Sequence, residues 1–285
     1  MDKITLTTFK NEELTYRKFV FSGGEIQIRL DETDIIPVEV VIRADLRTAS
    51  GIMELLLVTD ALRQKYVSAT KIHLTLPYLP YARQDRVCSP GEAFSLEVMC
   101  RLLNSQNYAI IELWDVHSPV SLKFLPNAYN VSVADLIDGS KMPADISGRS
   151  LFSSTVFVSP DKGAINRVSG CAEKFNRPMI VSEKIRDPKT GIITGTKIVD
   201  GDMERIDRGD VKCDGGFLMI DDICDGGRTF IELAKVLRPM TTGKIRLYVT
   251  HLIASQGFDV FKGLIDEIYT SNCFHEDVPD FVHIV

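Results

Sequence analysis

The sequence lacks the features that mark secreted, membrane-spanning and zinc-binding proteins. No apolar run approaches the ~18 residues of a membrane span, and the first residues carry no signal-peptide core. The six cysteines include no Cys-x-x-Cys pair and match no zinc spacing. The net charge of −6 provides no basic surplus of the kind that nucleic-acid-binding proteins show. We therefore expect a cytoplasmic protein with free thiols that binds neither nucleic acid nor a membrane.

The length and composition are those of a globular protein with more than one domain. The chain has 285 residues, of which 45% are hydrophobic and 25% charged, enough to bury a sizeable core. The segment Leu136–Ser150 is rich in turn-forming residues and is the predicted inter-domain region. We expect one domain over residues 1–135 and a second over residues 136–285.

Strand-like apolar runs alternate with helical periods along both halves. Strands are predicted at Val38–Ile42, Lys71–Leu76, Ala109–Trp114, Thr155–Val158, Gly216–Ile220 and Lys244–Thr250. Helices are predicted at Gly51–Tyr66, Ala93–Leu103, Ile165–Phe175, Thr229–Leu237 and Phe258–Tyr269. This alternation indicates an α/β fold in which each domain has a mainly parallel sheet flanked by helices. The polar stretch from Lys184 to Asp202 is predicted to be a mobile loop or an exposed hairpin.

Polar side chains follow three of the predicted strands at the point where each strand ends. They are Asp115 with His117, Asp161, and the pair Asp221 and Asp222. Ligands of parallel α/β sheets bind beyond the carboxyl ends of the strands. This shared placement predicts an enzyme.

An acidic, glycine-containing loop is predicted from Asp221 to Gly227, between a strand and a helix. The adjacent carboxylates of Asp221 and Asp222 can accept hydrogen bonds from vicinal hydroxyls. The glycines and the helix N-terminus that follows, with Thr229, can donate to a phosphate. A sugar phosphate fits both the carboxylates, which accept from its hydroxyls, and the donors, which bind its phosphate. The alternative is a solvated acidic turn in which Thr229 caps the helix.

A second distinctive segment, Leu76–Arg86, places two prolines before Arg83, Gln84 and Asp85. The prolines stiffen the backbone after a strand, and a fixed guanidinium suits an ATP phosphate. A surface cluster of ion pairs is the alternative.

These two segments resemble those of ribose-phosphate diphosphokinases, also called phosphoribosyl-pyrophosphate synthetases. The resemblance implies two similar phosphoribosyltransferase-type domains, with ATP on the N-terminal side and ribose 5-phosphate on the C-terminal side. It assigns the second substrate to Asp221, Asp222, Asp225, Gly226, Gly227, Arg228 and Thr229. Gly226 and Arg228 depart from the family pattern in this loop.

The same resemblance assigns ATP contacts to Phe21, Glu25, Arg83, Gln84 and Asp85. In the family, the segment that contains Phe21 lines the adenine pocket of a neighbouring subunit, which implies a homo-oligomer that is at least a dimer. Here Gly23 replaces the usual Asp or Asn. Without the resemblance, core packing would be the simpler interpretation of Phe21.

The resemblance also implies Mg²⁺ as the cofactor, held by His117 and Asp161, and a catalytic pair formed by Lys184 and Arg186. The residues alone leave simpler interpretations open. His117 could be an ordinary hydrogen-bonded residue, Asp161 a helix cap, and the two cations solvated surface charge.

The implied reaction transfers the β,γ-diphosphate of MgATP to the 1-hydroxyl of ribose 5-phosphate. Two alternatives stay open: an inactive regulatory relative that binds a synthetase, and a phosphoribosyltransferase that acts on a base. Cys88 and Ser89–Ala93 stand where regulated relatives carry an Asp and a phosphate-binding Arg. We therefore expect no phosphate requirement and no ADP inhibition.

Overall fold

The computed structural model describes residues 2–66, 70–139, 155–186 and 193–285, which we call the described segments. The chain divides into two compact units, Met1–Val131 and Ser132–Val285. Within the described segments, no helix is both long and apolar enough to span a bilayer.

The first unit is built on a sheet of six strands within the described segments, in the order β2-β1-β5-β6-β7-β8. Its elements are β1 (Lys3–Thr8), β2 (Glu13–Leu14), β3 (Tyr16–Val20), β4 (Ile26–Leu30), β5 (Glu39–Asp45), α1 (Ala49–Lys65), β6 (Lys71–Leu76), α2 (Ser95–Ser105), β7 (Ile110–Trp114), α3 (Val120–Phe124) and β8 (Ala128–Val131). Strands β5 to β8 are parallel, whereas β1 pairs antiparallel with β2 and β5. Strands β3 and β4 form a separate antiparallel hairpin.

Helix α1 shows why this region folds as it does. The Thr48 side chain caps the helix by accepting from the Gly51 N–H at 3.0 Å. Its apolar residues Leu55, Val58 and Leu62 are buried in the core of the first unit. Their spacing of three and four residues places them on one face of the helix, as the sequence pattern predicts.

The second unit carries a sheet of seven strands within the described segments, in the order β11-β10-β9-β12-β13-β14-β15. Its elements are α4 (Val133–Gly139), β9 (Val156–Ser159), α5 (Ile165–Phe175), β10 (Met179–Arg186), β11 (Ile193–Ile198), α6 (Asp200–Asp207), β12 (Phe217–Cys224), α7 (Arg228–Leu237), β13 (Ile245–Leu252), β14 (Glu267–Cys273) and β15 (Val282–Ile284). All its neighbouring pairs are parallel except β10 with β11.

Strand β12 lies in the middle of this sheet and has apolar clusters on both faces. Phe217 and Met219 belong to the cluster that contains α7 residues, and Leu218 and Ile220 to the one that contains α5 residues. Burial of both faces is typical of a parallel strand between helical layers. The predicted α/β class with mainly parallel sheets is confirmed.

The predicted helix at Phe258–Tyr269 is wrong. The structure has a single 3₁₀ turn at Asp259–Phe261, and Gly263 then adopts a φ of +76°. Strand β14 follows and pairs with β13 and β15. A short apolar run cannot be assigned to a helix or to a buried strand from its pattern alone, and the β-branched and aromatic residues of β14 favour the strand.

The acidic loop predicted from Asp221 starts later than expected. Strand β12 continues to Cys224, so both Asp221 and Asp222 lie in the strand, and the turn is confined to residues 225–227. Parallel pairing with β13, including Asp221 with Val249, sustains the strand against the low strand propensity of aspartate.

The structure bears on the predicted inter-domain region and on the predicted loop or hairpin. The start of Leu136–Ser150 belongs to helix α4, while residues 140–150 lie outside the described segments. The stretch from Lys184 to Asp202 contains the end of β10 and all of β11, paired antiparallel as in a hairpin, and then the start of α6. Residues 187–192 lie outside the described segments.

Candidate active site

Three neighbouring strands of the second sheet bring charged residues to their carboxyl ends. Asp161 follows β9, Lys184 lies near the end of β10, and the Asp221 and Asp222 pair lies near the end of β12. Strands β10, β9 and β12 are adjacent and parallel, so these residues share one edge of the sheet. This edge is where parallel α/β sheets bind ligands.

Arg167 of α5 faces both carboxylates on β12. Its Nη1 is 3.2 Å from Oδ1 of Asp221, and its Nη2 is 3.7 Å from Oδ2 of Asp222. The backbone N–H of Asp222 also donates to Oδ1 of Asp221 at 2.9 Å. Burial and the neighbouring charge of Asp222 raise the pKa of Asp221 well above its ordinary value, and Arg167 opposes this rise.

The turn after β12 ends at Gly227, which occupies the N-cap position of α7 with a φ of +77°. Thr229 lies inside the helix, so the alternative in which Thr229 caps it is wrong. The Ser255 N–H donates to the Asp225 carbonyl at 3.2 Å, which joins the turn to the loop after β13. The first N–H groups of α7 therefore face a short turn that begins with Asp225, an arrangement able to bind an anion.

Asp161 and Lys184 form an ion pair although 23 residues separate them in the chain. Oδ2 of Asp161 accepts from Nζ of Lys184 at 2.8 Å, and Oδ1 accepts from the Gly163 N–H at 2.9 Å. The second contact confirms that Asp161 also caps the 3₁₀ turn that follows it. Burial alone would raise the pKa of Asp161, but the hydrogen bond and charge of Lys184 lower it below the ordinary value.

A buried hydroxyl ties β10 to the turn that carries Asp161. The Ser182 Oγ donates to the Pro160 carbonyl at 2.7 Å. This contact fixes the strand of Lys184 relative to Asp161. The backbone of Arg186 pairs with Ile193 on β11, but the predicted catalytic side chain of Arg186 lies outside the described residues.

In the first unit, Asp115 and His117 follow β7. Asp115 is buried and adopts a φ of +42°, and its N–H donates to the Val131 carbonyl at 2.9 Å. The next N–H, that of Val116, donates to Oδ1 of Asn130 at 2.9 Å. These contacts turn the chain sharply at the strand end and leave His117 exposed.

Arg83, Gln84 and Asp85 lie in the loop between β6 and α2. The neighbouring Leu79 and Ala82 are buried and anchor the loop, and the Ala82 N–H donates to the Leu79 carbonyl. Arg83 and Gln84 are exposed at the surface of the first unit. The structure therefore presents both side chains beyond the carboxyl end of β6.

Phe21 and Glu25 close the hairpin of β3 and β4. The Phe21 N–H donates to the Glu25 carbonyl at 2.8 Å, and Gly24 adopts a φ of +92° in the turn. Phe21 is 57% exposed, so the core-packing interpretation is wrong. Glu54 of α1 anchors the hairpin because it accepts hydrogen bonds from two β3 side chains, Tyr16 and Lys18.

The donor set bears on how a magnesium ion could bind. Across the described segments, no three His, Cys, Asp or Glu side chains cluster as a metal site would require. Asp161 offers one carboxylate with a lowered pKa. Magnesium is commonly held by one or two carboxylates together with water and substrate phosphates. Asp161 therefore fits an ion that arrives with a phosphate substrate, better than a preformed protein cage.

Sequence reasoning missed three residues that lie in the candidate sites or hold their elements in place. They are Arg167, Ser182 and Glu54. Arg167 had one available signal, since it precedes the buried Val168 in the apolar stripe of α5 and so lies beside the buried face. Ser182 and Glu54 carry no distinctive motif.

The sequence comparisons with known proteins agree on one family. Residues 3–106 match the family model described as the N-terminal domain of ribose phosphate pyrophosphokinase. The ribose-phosphate pyrophosphokinase of Thermococcus kodakarensis is 34% identical over 223 residues, which cover 78% of this chain and 72% of that protein. That of Pyrococcus furiosus is 30% identical with the same coverage of both chains.

A solved structure shares the fold. The crystal structure of phosphoribosylpyrophosphate synthetase from Mycobacterium smegmatis superposes with a TM-score of 0.72 and 20% sequence identity. The match covers 97% of this chain and 87% of that one. At this identity, the likeness supports the architecture of the sheets and helices.

Proposed function

The chain belongs to the ribose-phosphate pyrophosphokinase family, and we propose that it transfers the β,γ-diphosphate of MgATP to the 1-hydroxyl of ribose 5-phosphate. The products are AMP and 5-phosphoribosyl 1-diphosphate, an activated ribose for nucleotide biosynthesis. The observation that carries the proposal is the shared sheet edge of the second unit. There Lys184 and the Asp221–Asp222 pair lie on strands β10 and β12, and Asp161 follows the strand β9 between them.

Ribose 5-phosphate is assigned to the second unit. The carboxylates of Asp221 and Asp222 accept hydrogen bonds from the sugar hydroxyls. The turn from Asp225 to Gly227 and the N-terminus of α7 hold the 5-phosphate, with Arg228 and Thr229 as further donors. The cation of Arg228 supplies a charge-assisted contact at a position where the family pattern has none.

ATP is assigned to residues of the first unit. Arg83, Gln84 and Asp85 contact the nucleotide from the loop after β6, and Phe21 and Glu25 of the hairpin turn contact the adenine bound by a neighbouring subunit. The burial of Leu79, which anchors the loop, and the anchoring of the hairpin by Glu54 support a preformed surface.

The chemistry is a direct displacement at phosphorus. The 1-hydroxyl oxygen bonds to the β-phosphorus of ATP, the bond from that phosphorus to the bridging oxygen breaks, and the oxygen leaves with AMP. The hydroxyl proton is released. Lys184 and Arg186 neutralise charge on the transferring group and on AMP. His117 would hold the magnesium ion bound to ATP and Asp161 a second magnesium ion near the ribose, and these ions would add charge neutralisation and orientation.

Two further properties belong to the proposal. The hairpin exposes the consecutive side chains Phe19, Val20 and Phe21 by 45%, 66% and 57%, an apolar run suited to contact a second subunit. We therefore propose a homo-oligomer of at least two chains. The six cysteines are free thiols, which supports a reducing cytoplasmic location.

The test is to mix the purified protein with MgATP and ribose 5-phosphate and quantify AMP and 5-phosphoribosyl 1-diphosphate. We expect equal amounts of both, and a collapse of the rate in Lys184→Ala. Lys235→Ala is the matched control, because Lys235 pairs with Glu232 on the exposed side of α7. Absence of product from a folded protein that binds ATP would favour the inactive regulatory relative. Consumption of 5-phosphoribosyl 1-diphosphate with a free base would favour the phosphoribosyltransferase.

A further inference from the structure

Arg167 is held where its guanidinium can act on two carboxylates at once. Its side chain is only 13% exposed, and those of Asp221 and Asp222 are 18% and 7% exposed. Each terminal amino group of the guanidinium faces a different carboxylate, at 3.2 Å and 3.7 Å. A planar fork with separate donors can make this bridge, whereas a single ammonium group cannot match it.

The bridge opposes two tendencies that would otherwise separate the carboxylates. Successive side chains of a strand point to opposite faces, so Asp221 and Asp222 tend to diverge. Two neighbouring carboxylates with little exposure also repel one another. Arg167 places positive charge beside Oδ1 of Asp221 and Oδ2 of Asp222. The N–H of Asp222 also holds the Asp221 carboxylate back toward the strand.

A ribose offers vicinal hydroxyls that need two acceptors at a fixed separation. We propose that Arg167 is a positioning residue for ribose recognition: it fixes Asp221 and Asp222 as a pair of acceptors for the sugar hydroxyls. This inference rests on the proposed function of the same site. Because Arg167 acts through the carboxylates, it contributes to the choice of sugar more than to the binding of the 5-phosphate.

The test compares two sugars that differ in one hydroxyl. Ribose 5-phosphate and 2-deoxyribose 5-phosphate are titrated calorimetrically into the full chain, with Mg²⁺ and a nonhydrolysable ATP analogue present. In Arg167→Met we expect ribose 5-phosphate to bind about tenfold more weakly, the lower end of the loss seen when a residue that orients a metal ligand is removed. Affinity for 2-deoxyribose 5-phosphate should change much less, so discrimination between the sugars falls.

Two further variants separate positioning from a general structural effect. Arg167→Lys should recover part of the discrimination, and it also carries the test if Arg167→Met does not fold. Arg208→Met is the matched control, because Arg208 pairs with Asp210 at the exposed surface of the same unit. Combining Arg167→Met with Asp222→Asn should cost less than the sum of the two single losses, since both act on one interaction.

The remaining outcomes contradict either the inference about Arg167 or the proposed function. Equal losses of affinity for both sugars would mean that Arg167 binds phosphate or maintains the fold, and would overturn the inference. Unchanged affinities, or strictly additive losses with Asp222→Asn, would overturn it as well. If the wild-type chain binds neither sugar, the proposed function fails first and the inference fails with it.

Discussion

Replacing Gly227 with alanine should strongly destabilise the second unit. Gly227 has a φ of +77°, a left-handed conformation that costs other residues about 1–2 kcal/mol. An added Cβ would lie 2.5 Å from two ring carbons of Phe261, which is fully buried and has little room to move. Overpacking of this kind costs about 1–3 kcal/mol. Together the two effects predict a loss of roughly 2–5 kcal/mol.

The neighbouring glycine provides a matched control. A Cβ added to Gly226 would meet the Cγ of Gln256 at 3.6 Å, an ordinary van der Waals distance. We expect Gly226→Ala to cost less than about 1 kcal/mol, the range of a substitution that breaks no special feature. Urea unfolding followed by circular dichroism measures both variants. A second comparison, Gly227→Ala with Phe261→Leu, should relieve part of the clash but none of the backbone strain.

The outcome decides whether the turn is as constrained as the structure shows. If Gly227→Ala unfolds within about 1 kcal/mol of Gly226→Ala, both the positive φ and the tight contact with Phe261 are wrong. In that case the turn at residues 225–227 could not be regarded as a rigid support for an anion at the start of α7.

Three other predictions concern separate parts of the chain. Asp161 has a lowered pKa, so at a pH above its ordinary value of 3.8 the ion pair should make the wild type more stable than Asp161→Asn. This advantage should disappear as the pH falls through the lower pKa of the folded state, and acid unfolding of both proteins measures it. Phe21→Ala should raise the KM for ATP while changing the free energy of unfolding by less than about 0.5 kcal/mol, because the side chain is exposed; an unaltered KM would contradict its assignment. Added phosphate should not activate the enzyme, since the Glu92 carboxylate already accepts from the N–H groups of Cys88 and Ser89; a steep phosphate activation curve would refute this.

The local pattern of the chain was sufficient to predict most of the strands and helices that carry the site. Strand β6 has the predicted bounds, and the polar clusters after β7, β9 and β12 lie at strand ends or near them. These predictions succeed because strand-to-helix alternation is a local property, and it forces the carboxyl ends of parallel strands to one edge.

The rest depends on contacts between distant residues. The bridge from Arg167 to Asp221 joins residues 54 apart, and no local pattern specifies it. The predicted helix at Phe258–Tyr269 overlaps the first residues of β14, whose extended form is sustained by its pairing with the neighbouring strands β13 and β15. Strands β1 and β4 alternate apolar and polar residues, but this alternation does not specify a partner strand, so their pairing with β5 and β3 is likewise a tertiary effect.

The proposed reaction transfers a diphosphate, and not a single phosphate, from ATP. The direct test is to supply ATP labelled at its β-phosphorus, together with ribose 5-phosphate and Mg²⁺, and to locate the label. We predict labelled 5-phosphoribosyl 1-diphosphate and unlabelled AMP in equal amounts. Label retained in ADP would show transfer of the γ-phosphate alone, and label remaining in ATP with a folded, substrate-bound protein would show no transfer; either result would contradict the proposed reaction.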